Sequence, residues 1–346
     1  MPSRAILRAA VCAALCALLP AFAEPPLATL PRLQATQMSV SGLSSGGYMA
    51  VQFSVAYAAD VVGTGVIAGG PYFCARRDLD LAINVCSCTG WFQCRVAPGA
   101  THPDMLAQLT RRYAAEGKID PVAALARHKV WLFSGLADSL VPQAVVSDLE
   151  RYYRHFTPAA RIRYKKNLHA EHAMPTDSFG NACATLATPY ISNCGYDAAG
   201  ELLQWIYGPL AARSDKPAAG RLLRFSQAEF LAAPTTHGMA DSGLLYIPPG
   251  CEGDASGCRL HIALHGCLQD LDNIGEDFVR HAGYNRWADT NRLLILYPQA
   301  SAVYPLANPK ACWDWWGYDD SRYALKAGRQ MRAIKHMAER LLQSAN

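Results

Sequence analysis

Gly42-Leu43-Ser44-Ser45-Gly46 is the stretch on which the reading of this chain turns. Gln37-Met38-Ser39-Val40-Ser41 leads into it with strand-like alternation, and residues 47–57 leave it with the apolar spacing of a helix. A strand, Gly-x-Ser-x-Gly and a helix in that order predict a nucleophile elbow. The glycines allow a tight, strained turn that lifts the Ser44 hydroxyl above the sheet edge. The helix N-terminus beneath supplies amides and a positive dipole end where an oxyanion would develop. The plainer reading, a Ser/Gly turn, leaves the flanking strand and helix unexplained.

Outward from the elbow, the first residues predict export. Arg4 and Arg8 precede an apolar run over 9–19, and Ala21-Phe22-Ala23 stands before Glu24. That is the pattern of a cleavable secretory signal over 1–23. The run is short for a membrane span and nothing later replaces it, so no membrane anchor is expected. With 32 basic and 28 acidic residues the chain is too nearly neutral to call for nucleic acid. At 51% hydrophobic and 17% charged it can fill one large core. One domain over 24–346 is therefore expected, as a secreted monomer, extracellular or periplasmic.

Cys12 and Cys16 belong to the signal. Cys74, Cys86, Cys88, Cys94, Cys183, Cys194, Cys251, Cys258, Cys267 and Cys312 remain, an even set that in an exported chain predicts disulfides. Cys183 with Cys194 and Cys251 with Cys258 each close a short polar loop and are expected pairs. Spacing leaves the other pairings open. Cys86-Ser87-Cys88 with Cys94 lacks the paired C-x2-C spacing of a zinc knuckle, so neither metal nor cofactor is expected.

Further along, short apolar runs at 61–68 and 129–133 read as buried strands, 160–164, 260–264 and 293–297 read as further strands, and 244–247 reads as an edge strand. Helical patterns cover 103–113, 142–156, 201–207, 277–290 and 328–342, and 72–100 reads as a cysteine-pinned excursion. Such alternation predicts an α/β fold with a mostly parallel sheet covered by helices on both faces.

A serine nucleophile needs a base and an acid that orients it. Asp138 follows the strand ending at Phe133, and His172 follows the strand near Tyr164, the acid-then-histidine order of α/β hydrolases. Asp138 could also cap a turn, and on spacing His169 competes with His172; Asp177 is the rival acid, but no strand delivers it. The amide of Ser45 is the natural first oxyanion donor. The second usually comes from a His-Gly loop upstream of the serine. Here His265-Gly266-Cys267 lies far downstream, and few residues precede Ser44. The C-terminal strands must then supply what normally comes first, which implies a circularly permuted α/β-hydrolase sheet.

Five motifs now stand in one order. They are Gly42-Leu43-Ser44-Ser45-Gly46-Gly47, Gly69-Gly70-Pro71-Tyr72-x-Cys74, His172-x-Met174-Pro175-Thr176, His265-Gly266-Cys267-x-Gln269 and Cys312-Trp313-x-Trp315. Together they resemble the poly(3-hydroxybutyrate) depolymerase family, in its secreted single-domain branch with a permuted catalytic domain. The resemblance implies a triad of Ser44, Asp138 and His172, oxyanion amides on Ser45 and Cys267, and a Cys267–Cys312 disulfide. Trp313, Trp315 and Trp316 would then line the acyl cleft, Trp315 foremost. The implied substrate is the polyester or its oligomers. The chain carries no threonine-rich linker or separate polymer-binding domain, so amorphous polymer or soluble oligomer is expected rather than crystalline polymer. Two alternatives share the residues: an esterase for feruloyl or acetyl groups of plant polysaccharide, and a non-catalytic binding protein on the same fold.

Overall fold

The computed structural model describes residues 26–90, 93–305 and 307–342, so the secretory signal expected over 1–23 lies outside the described residues. Among them the strands are β1 (Met38–Leu43), β2 (Val61–Ile67), β3 (Lys129–Phe133), β4 (Ile162–Lys165), β5 (Met174–Thr176), β6 (Asn181–Ala182), β7 (Ile191–Asn193), β8 (Arg221–Ser226), β9 (Ser242–Ile247), β10 (Arg259–Leu264) and β11 (Leu293–Tyr297). The α-helices are α1 (Ser45–Ala56), α2 (Leu79–Asn84), α3 (Pro103–Ala115), α4 (Gln143–Arg154), α5 (Ala198–Tyr207), α6 (Leu271–Ile274), α7 (Asp277–His281), α8 (Tyr284–Asn291) and α9 (Arg329–Leu342).

Eight strands form one sheet in the order β4-β3-β2-β1-β10-β11-β9-β8, and β5, β7 and β6 form a small second sheet. From β4 to β11 all neighbours are parallel; β9 and β8 close the edge antiparallel. The C-terminal strands β10, β11, β9 and β8 thus occupy the whole side of β1 away from β2. Every residue of β1 is buried, as expected of a strand covered on both faces. The two faces can be read on β2. Side chains at Gly63 and Gly65 would meet Ile206 and Leu202 of α5, whereas Val66 lies against Gly47 of α1. Because successive residues point to opposite faces, α1 and α5 cover opposite sides. Helix α4 joins the α1 side through Tyr153 and Ser54, and α8 joins the α5 side through Tyr284 and Ser41.

Two expectations need correction. Residues 244–247 are not at the edge, because β8 pairs outside β9 over the full length from Arg221 to Ser226. The helix expected over 277–290 is two helices, α7 and α8, separated at Gly283, whose φ of 99° no continuing helix can hold.

Five disulfides pair Cys74–Cys86, Cys88–Cys94, Cys183–Cys194, Cys251–Cys258 and Cys267–Cys312. The first two pin the 72–100 excursion and consume the cysteines that a zinc knuckle would have used. No helix among the described residues is long and apolar enough to cross a membrane.

Candidate active site

Ser44 stands between β1 and α1 with φ 56° and ψ −122°, a backbone conformation costly for any residue with a side chain. The turn closes tightly because residues 42 and 46 have no side chain. A Cβ at Gly42 would strike the carbonyl of Gly46, and one at Gly46 would strike the carbonyls of Leu264 and His265. The Ser44 N–H donates to the Ile67 carbonyl at 2.9 Å, tying the elbow across the end of β2.

Asp138 sits in the loop after β3 and is both a turn residue and a histidine partner. Its Oδ1 accepts the N–H groups of Leu140 at 3.0 Å and Val141 at 2.7 Å. Its Oδ2 accepts from His172 Nδ1 at 3.0 Å. The loop carrying His172 is pinned to that of Asp138 by Leu136 N–H to the Leu168 carbonyl and Ala137 N–H to the Ala170 carbonyl, at 2.9 and 3.1 Å. Burial alone would push the His172 imidazole down; the charge and hydrogen bond of Asp138, with Glu171 beyond, more than offset it, and the net shift is upward. With Nδ1–H committed to Asp138, Nε2 is the nitrogen left for a substrate or a serine. His169 is exposed, and Asp177 is ion-paired with Arg213, so neither rival joins this pair.

The loop after β10 faces the elbow from the other side: a Cβ on Gly266 would lie 3.4 Å from Ser44 Cβ. Gly266 N–H donates to Gln269 Oε1 and Leu268 N–H to the Lys310 carbonyl, both at 2.8 Å. Between them the Cys267 N–H has no acceptor among the described residues, and neither has that of Ser45 at the first position of α1. Gln269 in turn donates to the carbonyls of Pro189 and Tyr190. His265 accepts the Ala300 N–H on Nε2 and donates from Nδ1 to the Gly266 carbonyl; burial pushes its imidazole below the ordinary value, which keeps it neutral in that arrangement. Gln269 and His265 hold the loop in place, roles their sequence motif alone did not assign.

Ser44 and His172 both line one cavity of about 300 Å³ together with Cys267, Tyr48, Leu79, Ile83, Trp315 and Trp316. Tyr48 stacks on Trp315 with ring centroids 4.1 Å apart, and Trp316 meets Trp315 edge-on at 5.6 Å. The tyrosine hydroxyl donates to the Cys86 carbonyl, so the Cys74–Cys86 excursion backs this wall. Trp313 does not line the cavity. It is fully buried, and its indole N–H donates to the His265 carbonyl at 3.0 Å, so it supports the loop from beneath. Among the described residues no group of three or more His, Cys, Asp or Glu is placed to hold a metal ion.

No family model matches the chain. It is 47% identical over 313 residues to a poly(3-hydroxybutyrate) depolymerase of Delftia acidovorans, covering 90% of this chain and 60% of that protein. It thus spans under two thirds of that relative's length. Against a polyhydroxybutyrate depolymerase of Talaromyces funiculosus it is 42% identical over 311 residues, covering 86% of this chain and 87% of the relative. Among solved structures, a serine-to-alanine PHB depolymerase variant complexed with an R3HB trimer superposes with a TM-score of 0.82 at 38% identity. The PHB depolymerase of Penicillium funiculosum does so with 0.81 at 38% identity, and each match covers 91% of this chain and 98% of the other.

Proposed function

This chain belongs to the poly(3-hydroxybutyrate) depolymerase family, and on that premise we propose that it is a secreted serine esterase cleaving 3-hydroxybutyrate polyester or its oligomers. In this reading residues 24–346 form one catalytic domain, a circularly permuted α/β hydrolase acting as a monomer. The observation that carries the reading is a convergence. Ser44, the buried Asp138–His172 pair and the unengaged Cys267 amide all meet at one apolar cavity.

His172 Nε2 takes the Ser44 proton as Oγ attacks the ester carbonyl, and Asp138 holds the imidazole and balances its charge. The amides of Ser45 and Cys267 receive the oxyanion, and their preorganisation costs nothing at the moment of reaction. His172 then protonates the departing alkoxide, and a water it activates releases the acyl group from Ser44. The chemistry so written uses no metal and no cofactor. Tyr48, Leu79, Trp315 and Trp316 give the methyl-bearing chain an apolar wall.

The test is to incubate the protein and its Ser44→Ala variant with amorphous poly(3-hydroxybutyrate) and measure released 3-hydroxybutyrate. Release by the parent and a loss of at least about 10⁴-fold in the variant is expected. A variant that retains release defeats Ser44 as the nucleophile; a parent that reacts with a serine-directed phosphonate yet releases nothing defeats the polymer as substrate and leaves only soluble oligomers.

A further inference from the structure

We propose that Lys310 selects chains ending in a free carboxylate, by holding that carboxylate on the leaving-alcohol side of the ester being cleaved. The inference rests on the esterase reading above. Among the described residues lining the cavity, only His172 and Lys310 can carry a positive charge. His172 is committed to Asp138. Lys310 is exposed, and its ammonium makes no ion pair or hydrogen bond among the described residues, in contrast to Lys118, Lys326 and Lys335, which are all paired. An unpaired cation on the rim of an apolar cavity is a ready partner for a single anionic group.

The backbone of Lys310 is held firmly. Its carbonyl accepts the Leu268 N–H at 2.8 Å, one residue from the Cys267 amide. Asn308 brackets the segment by accepting the Cys312 N–H at 2.9 Å and donating to the Cys312 carbonyl at 2.7 Å, and Cys312 is disulfide-bonded to Cys267. A flexible side chain thus swings from a fixed base beside the oxyanion loop.

Substrate chemistry sets the side on which it acts. A 3-hydroxyacid polyester has one free carboxylate, and it always lies on the alkoxy side of every ester in the chain. When the last ester is at Ser44, that carboxylate is three bonds from the ester oxygen. The Ser44 Oγ–acyl bond forms, the acyl–alkoxy bond breaks, and His172 returns its proton to the alkoxide. The terminal unit leaves as a free hydroxyacid, and water later hydrolyses the acyl-serine. A water-accessible ion pair of this kind favours the acid-ended substrate about fivefold at low salt. The preference fades when the Debye length falls toward about 3 Å near 1 M salt.

The experiment compares the 3-hydroxybutyrate trimer as free acid and as methyl ester, scoring only cleavage between hydroxybutyrate units. The ratio of kcat/KM values is measured for the parent, Lys310→Met and Lys310→Arg at low and high salt. The parent is expected to favour the acid about fivefold, through KM, and to lose the preference at high salt. Lys310→Met should bring the ratio near one and Lys310→Arg should keep it. The charges acting on His172 are those of Asp138 and Glu171, so the acid limb of the pH profile should not move in Lys310→Met. A ratio near one in the parent, a ratio unchanged in Lys310→Met, or a shifted acid limb overturns the assignment. Failure of the parent to cleave either trimer while it still releases 3-hydroxybutyrate from amorphous polymer overturns this inference alone; failure on trimers and polymer together overturns the esterase reading and this inference with it.

Discussion

The two sides of the cavity are built by different means. On the serine side, strand β1, the elbow and helix α1 are consecutive, and the position of Ser44 follows from two glycines and one N–H bond to Ile67. On the oxyanion side, loop 265–269 is held by partners far away in sequence. They are Pro189 and Tyr190 through Gln269, Ala300 through His265, Trp313 through the His265 carbonyl, and Cys312 through the disulfide. The first side is a local solution of backbone geometry. The second is an agreement between distant segments, each link a side chain. The contrast teaches that the two halves should fail differently: the serine side by losing chemistry, the oxyanion side by losing position.

The largest expected effect comes from the chemistry. Asp138→Asn keeps the turn, since the amide oxygen can still accept the Leu140 and Val141 N–H groups, but it removes the charge beside His172. A fall of about 10⁴-fold in kcat with little change in Tm is expected. The pH profile gives a second reading. His172 must be neutral to act as base, and its pKa is raised above 6.5, so parent activity falls as pH drops through that raised value. In the variant, burial pushes the imidazole down unopposed by Asp138, and the acid limb should move to lower pH. A limb that stays in place would mean that another group governs it, and the division between chemistry and position would lose its first half.

A middle-sized effect should come from position. Gln269→Leu frees the Gly266 N–H and drops the links to Pro189 and Tyr190 while touching neither Ser44 nor His172. The Cys267 amide then loses its fixed aim, and kcat should fall about 10- to 100-fold, less than the 10²–10³ of removing an oxyanion donor outright. The acid limb of the profile should stay at the parent position. Rate and pH measurements on the two variants together separate the two halves; a shifted limb in Gln269→Leu would merge them.

Legibility in the sequence follows the same division. The elbow, the positions of the strands from β1 to β4 and the loops carrying Asp138 and His172 could be read because each depends on residues near one another in the chain. Other features could not. The edge strand β8 reads Arg221-Leu222-Leu223-Arg224-Phe225-Ser226, with arginines and half-exposed leucines where a buried strand would show an apolar run. The helix break depends on the left-handed conformation of Gly283, which an apolar period does not register. The tasks of Gln269 and His265 depend on Tyr190 and Ala300, which no local pattern connects to them. Trp313 and Trp315 are two residues apart in an irregular loop, where spacing carries no information about direction. One points under the loop and the other into the cavity wall.

Trp316 offers the smallest effect and the finest cut. Trp315 is nearly buried and stacked on Tyr48, so removing it would disturb the wall and the packing of Cys74 and Cys86 together. Trp316 lies outside that stack, half-buried, meeting Trp315 edge-on and Tyr318 at 4.8 Å. Trp316→Ala should therefore remove apolar contact with substrate while leaving both halves of the machinery in place. A three- to tenfold rise in KM for a 3-hydroxybutyrate oligomer is expected at nearly constant kcat, on the order of 1 kcal/mol of lost apolar burial. Equal binding in ground and transition states is what such a pattern means. If kcat fell instead, the Trp316 ring would be steadying the oxyanion side, and the boundary between the cavity wall and the loop of Cys267 would have to be redrawn to include it.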